Sequence, residues 1–172
     1  YVDLPMEEVY PRKIVDECPE IFCNTYGKGK VVYFSGDIDR RFWEYLTPDH
    51  GKVLTNSIKW TMKGRKTVDV RGKGFLDVTC WRSGSKVSIH IVNMTNPFAM
   101  RGIVRDFYPV SQLELKVSIF GGITGPVKAL TAGKELKSEY DGDCLRIKLP
   151  EIVVHEVLVF ELDENAKINN DE

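Results

Sequence analysis

The densest chemistry in the chain is Gly36-Asp37-Ile38-Asp39-Arg40-Arg41-Phe42-Trp43, which sets two carboxylates, two guanidinium groups and an indole into eight residues. Asp37 and Asp39 have the spacing to act as an acid–base pair, or to hold a hard cation with help from backbone carbonyls. The sequence lacks an EF-hand pattern, and no third carboxylate follows at a useful spacing. The plainer expectation is a turn in which the acids pair with Arg40 or Arg41. Tryptophan offers a second chemistry. An exposed indole is a platform for sugars, because it buries the apolar faces of the rings while the hydroxyls stay wet. Trp43 follows the acidic–basic stretch and Trp81 ends a β-prone run beside a turn, whereas Trp60 closes a helical stripe and is expected in the core. Trp43, Trp81, Asp37, Asp39 and Arg40 are therefore the candidate carbohydrate-binding residues.

Signatures of catalysis are missing. There is no H-E-x-x-H, no G-x-S-x-G and no glycine-rich phosphate loop leading into a helix. Gly27-Lys28-Gly29-Lys30 reads as a hairpin turn instead. His50, His90 and His155 are not expected to cluster. Cys18, Cys23, Cys80 and Cys144 form no C-x-x-C pair and read as buried or incidental thiols, which favours a reducing compartment such as the cytoplasm. Asn93-Met94-Thr95 fits the glycosylation pattern, but no signal peptide is visible at Tyr1–Glu8, so the match reads as chance. No catalytic residue, metal site or cofactor is expected.

Three regions must position these residues. The chain up to about Pro19 carries three prolines and little periodicity, so it reads as an irregular segment. Ile21–Tyr26 and Lys30–Phe34 are β-prone runs joined by a glycine turn. Thr47-Pro48-Asp49 then opens a helix, which Leu54, Ile58 and Thr61 stripe and Met62-Lys63-Gly64 stops. A hairpin and a helix bury too little surface to fold alone, so residues 1–64 read as a partial α/β segment. Residues 65–162 show seven or eight short runs with period-2 alternation, Val87/Ile89/Ile91 and Leu113/Leu115/Val117/Ile119 being the clearest. Turn residues separate the runs and no helix intervenes, which predicts an antiparallel β-sandwich. Residues 163–172 read as a disordered polar tail.

Composition bounds the partners. The chain has 172 residues, 42% hydrophobic and 28% charged, with a net charge of -1. It therefore lacks the basic field that non-specific nucleic-acid binding needs, and no apolar run is long enough to span a membrane. The first residue is not methionine, so processing or excision from a longer chain is expected.

Several strings together resemble a known arrangement. Pro5–Pro11, the Gly27–Phe34 hairpin, Gly36-Asp37-Ile38-Asp39-Arg40-x-Phe42-Trp43 and Pro48-Asp49-His50-Gly51 running into Trp60 resemble the end of the β-galactosidase-trimerisation-like domain of glycoside hydrolases. That domain is similar to class I glutamine amidotransferases, a flavodoxin-like α/β layer. Gly74–Val78 and His90–Pro97 resemble the C-terminal β-sandwich that follows it, so the likeness spans residues 5–160 or so. It implies a non-catalytic accessory portion of a glycoside hydrolase whose upstream TIM barrel carries the catalytic carboxylates. Its roles would be stability, oligomerisation or shaping of the substrate cleft. The implied partners are the rest of that enzyme, further copies of the chain and a carbohydrate. A free-standing carbohydrate-binding module is the alternative, and a small hydrolase working through Asp37 and Asp39 is a third.

Overall fold

The structure, a computed structural model of the chain, is described for residues 19–95 and 106–168. The irregular segment expected before Pro19 lies outside the described residues. The chain divides into two compact units, Tyr1–Gly64 and Arg65–Glu172.

In the first unit, β1 (Ile21–Tyr26) and β2 (Gly29–Phe34) pair antiparallel with Tyr26 opposite Gly29, leaving Gly27-Lys28 as the whole turn. Gly27 has φ 56°, the left-handed value that a two-residue hairpin turn asks of its first central residue. Two helices follow, α1 (Ile38–Tyr45) and α2 (Pro48–Thr61). The first corrects an expectation, since the Asp37–Trp43 stretch was read as a turn. Ile38, Phe42 and Tyr45 recur at helical spacing, Asp37 occupies the N-cap, and Asp39 in the first turn complements the positive helix end. Leu46 closes α1 in a left-handed conformation, its amide donating to the Phe42 carbonyl. Thr47 is the N-cap of α2, as its sequence predicts, although its hydroxyl makes no capping hydrogen bond. The helices approach closely at Gly51, where a Cβ would stand 2.8 Å from the Phe42 ring. Lys30 lies 4.5 Å from the centroid of the Trp60 ring, and Lys63 Nζ donates to the Lys28 carbonyl at 2.6 Å, tying α2 to the hairpin.

No described residue of this unit is buried. Ile58, placed in the stripe, is 58% exposed, and Trp60 is exposed as well. The core reading of Trp60 is therefore corrected: the described residues of this unit form two strands and two helices with no buried residue among them, and Trp60 is 36% exposed with Lys30 over its ring.

The second unit is the antiparallel β-sandwich that the alternation predicts. Its strands are β3 (Val68–Arg71), β4 (Leu76–Ser83), β5 (Lys86–Asn93), β6 (Glu114–Phe120), β7 (Ile123–Ala129), β8 (Lys134–Leu136), β9 (Ser138–Tyr140), β10 (Cys144–Lys148), β11 (His155–Leu162) and β12 (Lys167–Ile168). One sheet runs β12-β6-β10-β9, with β3 also on β6, and the other runs β4-β5-β11-β7-β8. Leu115, Val117, Ile119, Leu145 and Ile147 of the first meet Val87, Ile89, Ile91, Leu158 and Phe160 of the second in one core. The chain crosses between sheets at Gly121-Gly122, with φ 100° and 91°. A Cβ on Gly121 would stand 2.8 Å from Ala166 Cα, so the crossing needs glycine there.

The polar tail is also corrected. Ala166 and Ile168 are buried, and Lys167-Ile168 pairs with Phe120 and Ile119 as β12. Two apolar residues at alternate positions are enough to pull this segment onto the free edge of β6. Residues 169–172 lie outside the described residues. Among the described residues, no helix is long and apolar enough to cross a membrane.

Candidate functional site

A cavity of about 430 Å³ opens where β2 ends and α1 begins. In open α/β sheets, ligands gather at this end of a strand. Ile21, Phe34, Ile38 and Val53 supply apolar walls, and Asp37, Arg40, Arg41 and His50 bring polar groups to the rim. Arg40 Nε lies 2.5 Å from Asp37 Oδ2, and its Nη1 reaches Glu44 at 3.7 Å, so the guanidinium bridges the first and second turns of α1. The hydrogen bond from Arg40 holds the Asp37 carboxyl below the usual carboxylate range, with a smaller contribution from Asp39. A group held ionised this way cannot hand over a proton at neutral pH, as a general acid of glycoside hydrolysis must. Its chemistry is that of an anchored acceptor.

Of the five candidate residues, the structure brings Asp37 and Arg40 together at this cavity. Asp39 and Trp43 lie on the exposed side of α1, Trp43 being 59% exposed and not part of the cavity wall. Trp81 belongs to the second unit, where it stands on the outer face of β4, 66% exposed.

The sandwich has two outer faces, each lined by rows of residues that the strand register brings side by side. On the β6 sheet, strand register aligns Asp69, Lys116, Arg146 and Glu139 in one row and Arg71, Glu114 and Lys148 in the next, all charged. On the β5 sheet the rows are Asp77–Val92–His155, Thr79–His90–Val157, Trp81–Ser88–Val159–Lys128–Glu135 and Ser83–Lys86–Glu161–Thr124, so charges of both signs lie on this face as well. His90 and His155 meet there, which corrects the expectation that the histidines stay apart. Nδ1 of His90 lies 3.3 Å from Nε2 of His155, with ring centroids 5.4 Å apart and planes inclined by 18°. The ring planes are thus close to parallel, and the two nitrogens lie within reach of an N–H···N hydrogen bond. Period-2 alternation already put His90 on the outer face. That β11 would lie beside β5 was not readable from spacing.

Two further polar residues are structural. Glu156 is 2% exposed, and its carboxylate accepts from the amides of Thr131, Ala132 and Val157 at 2.8–3.0 Å. It shares the inward phase of Leu158, Phe160 and Leu162, a signal present in the sequence. Asn93 Nδ2 donates to the carbonyls of Tyr108, Ile152 and Val153, while its Oδ1 accepts from Thr95 N. A glycan on that nitrogen would break the clamp, so the Asn93-Met94-Thr95 pattern serves the fold. Burial pushes the Cys80 and Cys144 thiols up, away from nucleophilic use, while Cys23 is exposed and Cys18 lies outside the described residues. Among the described residues, no three His, Cys, Asp or Glu side chains gather as metal ligands.

Comparison with known proteins gives the fold a relative. No protein-family model matches the chain, and no curated protein sequence matches it. Among solved structures, alpha-L-fucosidase isoenzyme 2 from Paenibacillus thiaminolyticus is similar, with TM-score 0.65 and 14% identity. The match covers 80% of this chain and 21% of that one, so the chain spans about a fifth of the enzyme it resembles. At that identity the likeness concerns the fold.

Proposed function

We propose that this chain is a non-catalytic accessory portion, C-terminal in position, of a larger glycoside hydrolase. One observation carries the reading: four-fifths of the chain matches a fifth of a fucosidase. The two units add consistent detail. The first has no buried residue among those described, as expected of the end of an α/β layer whose other strands lie elsewhere in a longer chain. The second is a filled sandwich with no described carboxylate pair set up for acid–base work. Asp37, the best-placed acid, is held ionised by Arg40. Catalysis would then reside in an upstream barrel, and this portion would stabilise that barrel, support its oligomer or help to shape its cleft.

The test is enzymatic and physical. The free 172-residue chain, incubated with aryl glycosides, is expected to release no aryl alcohol. Deleting the same residues from the longer enzyme is expected to lower its melting temperature or change its solution mass. Turnover by the free chain, abolished by replacing Asp37 and Asp39 with Asn, would overturn the reading in favour of a small hydrolase.

A further inference from the structure

We propose that His90 and His155 form a two-histidine site for a divalent transition-metal ion of the zinc and copper class, bound through Nδ1 of His90 and Nε2 of His155. The ion would join the neighbouring strands β5 and β11, a role that the accessory reading of the chain neither supplies nor requires.

The first support is distance. Nδ1 of His90 and Nε2 of His155 stand 3.3 Å apart. Two imidazole nitrogens that share one tetrahedral Zn²⁺, each about 2.0–2.1 Å from it, are about 3.3–3.4 Å apart. Hydrogen bonds from N–H to oxygen centre on about 2.9–3.0 Å, so the spacing is long for a hydrogen bond and right for a shared ion. Orientation agrees with distance. The ring centres are 5.4 Å apart, well beyond the separation of the two nitrogens, so the nitrogen edges face each other. Binding requires the tautomers that carry their protons on Nε2 of His90 and Nδ1 of His155. Both lone pairs then point into the gap with no proton between them.

The second support is the platform. His90 lies opposite Val157 and His155 opposite Val92, so the two histidines are diagonal neighbours on adjacent strands. Both strands lie inside the sheet, each with a paired strand on either side. On their other face Ile89, Ile91, Glu156 and Leu158 are buried, which fixes the backbone beneath the imidazoles. Ligands set on packed strands hold their spacing better than ligands on loops.

The surroundings select the kind of ion and leave it open positions. Imidazole suits zinc, copper and nickel, whereas calcium and magnesium ask for oxygen ligands. Among the described residues, no third His, Cys, Asp or Glu gathers with the pair. Glu156, next in sequence to His155, has its carboxylate committed to three backbone amides. Both histidines are half-buried, and His155 also borders a cavity of about 430 Å³ that admits water. Water would complete the coordination, which makes this an open site and not a closed structural one.

The experiment is titration calorimetry of the 172-residue chain with ZnCl₂, with the imidazole nitrogens followed by NMR. One ion per chain is expected, with chemical-shift changes at Nδ1 of His90 and Nε2 of His155. Losing an outer-shell partner alone typically costs about tenfold in metal affinity, so His90→Gln and His155→Gln should each weaken binding by at least that much. Cys23→Ser, which removes an exposed thiol, should leave the affinity unchanged. Added Zn²⁺ should raise the melting temperature of the native chain, because the ion binds the paired strands, and Mg²⁺ should not. Circular dichroism shows whether each glutamine variant is folded, and the nitrogen shifts of the native chain carry the test if neither is. Three results would each overturn the proposal: no saturable binding of Zn²⁺, binding that both glutamine variants leave intact, or shift changes confined to other side chains.

Discussion

The two units use the same local devices and differ in what their apolar residues meet. Each has a tight hairpin with a two-residue glycine-led turn, Gly27-Lys28 in one and Gly84-Ser85 in the other. Each builds its strands from β-branched and aromatic residues, in continuous runs in the first unit and in alternation in the second. In β5 the alternate residues Val87, Ile89 and Ile91 are fully buried, because a second sheet faces them. In β2 the alternate residues reach only half-burial, and β1 is exposed along its whole length. Local propensity makes a strand; only a facing layer makes a core. Among its described residues, the first unit thus has strands and helices but no buried residue.

The largest test of that contrast is Phe160→Ala. Phe160 is among the largest fully buried side chains, in the middle of β11 between the two sheets. Its truncation should cost about 3–5 kcal/mol, read as a shift of the urea midpoint of the sandwich. A cost below about 1 kcal/mol would mean that the two units are less different than their burial suggests.

Next comes Glu156→Ala. The carboxylate accepts from two amides at the β7–β8 connection, Thr131 and Ala132, and from the neighbouring Val157 amide of β11, and alanine leaves all three without it. A loss of about 2–3 kcal/mol is expected, and Glu156→Gln, which keeps one oxygen, should lose less. Hydrogen exchange at Thr131 and Ala132 should accelerate in both variants. Unchanged exchange there would show that the turn is held by its own backbone.

Acid should weaken the sandwich by a smaller amount. Hydrogen bonding to Lys66 pulls the Asp69 carboxyl below its ordinary value, and Arg146 does the same to Asp141. A carboxylate with a depressed folded-state value adds stability above its unfolded value, near pH 4, and loses it as the pH falls through the folded value. The urea midpoint should therefore hold steady above about pH 4 and decline below it. Asp141→Asn together with Asp69→Asn should flatten part of that decline. A double variant with the wild-type profile would assign the acid response to other groups.

How much of this was legible depends on the partner each residue required. The β5 and β6 strands could be read directly, since Val87/Ile89/Ile91 and Leu115/Val117/Ile119 repeat every second residue and every one of them is buried. β3 and β12 were missed because four residues and two residues give alternation too few periods to register. α1 is hidden for a different reason: its Ile38/Phe42/Tyr45 stripe spans only two turns and is interleaved with charged residues that suit a turn equally well. At the candidate sites, the Asp37–Arg40 pairing followed from i,i+3 spacing on a short segment. The His90–His155 bond did not, because it joins residues 65 apart whose strands are neighbours only through the sheet order. Trp60 lies at helical spacing, but spacing alone does not say whether another layer covers that face, and among the described residues Trp60 is 36% exposed.

The smallest effect is the one that sharpens the comparison furthest. Ile58 lies on α2, 58% exposed, in a unit where no described residue is buried. Replacing it with alanine removes few contacts, and alanine is the better helix former. In the free chain Ile58→Ala should change the helix melting curve by no more than about 0.5 kcal/mol, in either direction. In a longer enzyme whose α/β layer covers this helix, the same substitution would open a cavity and cost about 2 kcal/mol or more. The informative quantity is the difference between the two measurements, because helix propensity is common to both and cancels. A large loss in the free chain would show that Ile58 is already covered in solution, by another copy if the solution mass is that of an oligomer. Equal, near-zero effects in both would mean that this face stays in water even in the longer enzyme, and the partial-layer reading of the first unit would fall.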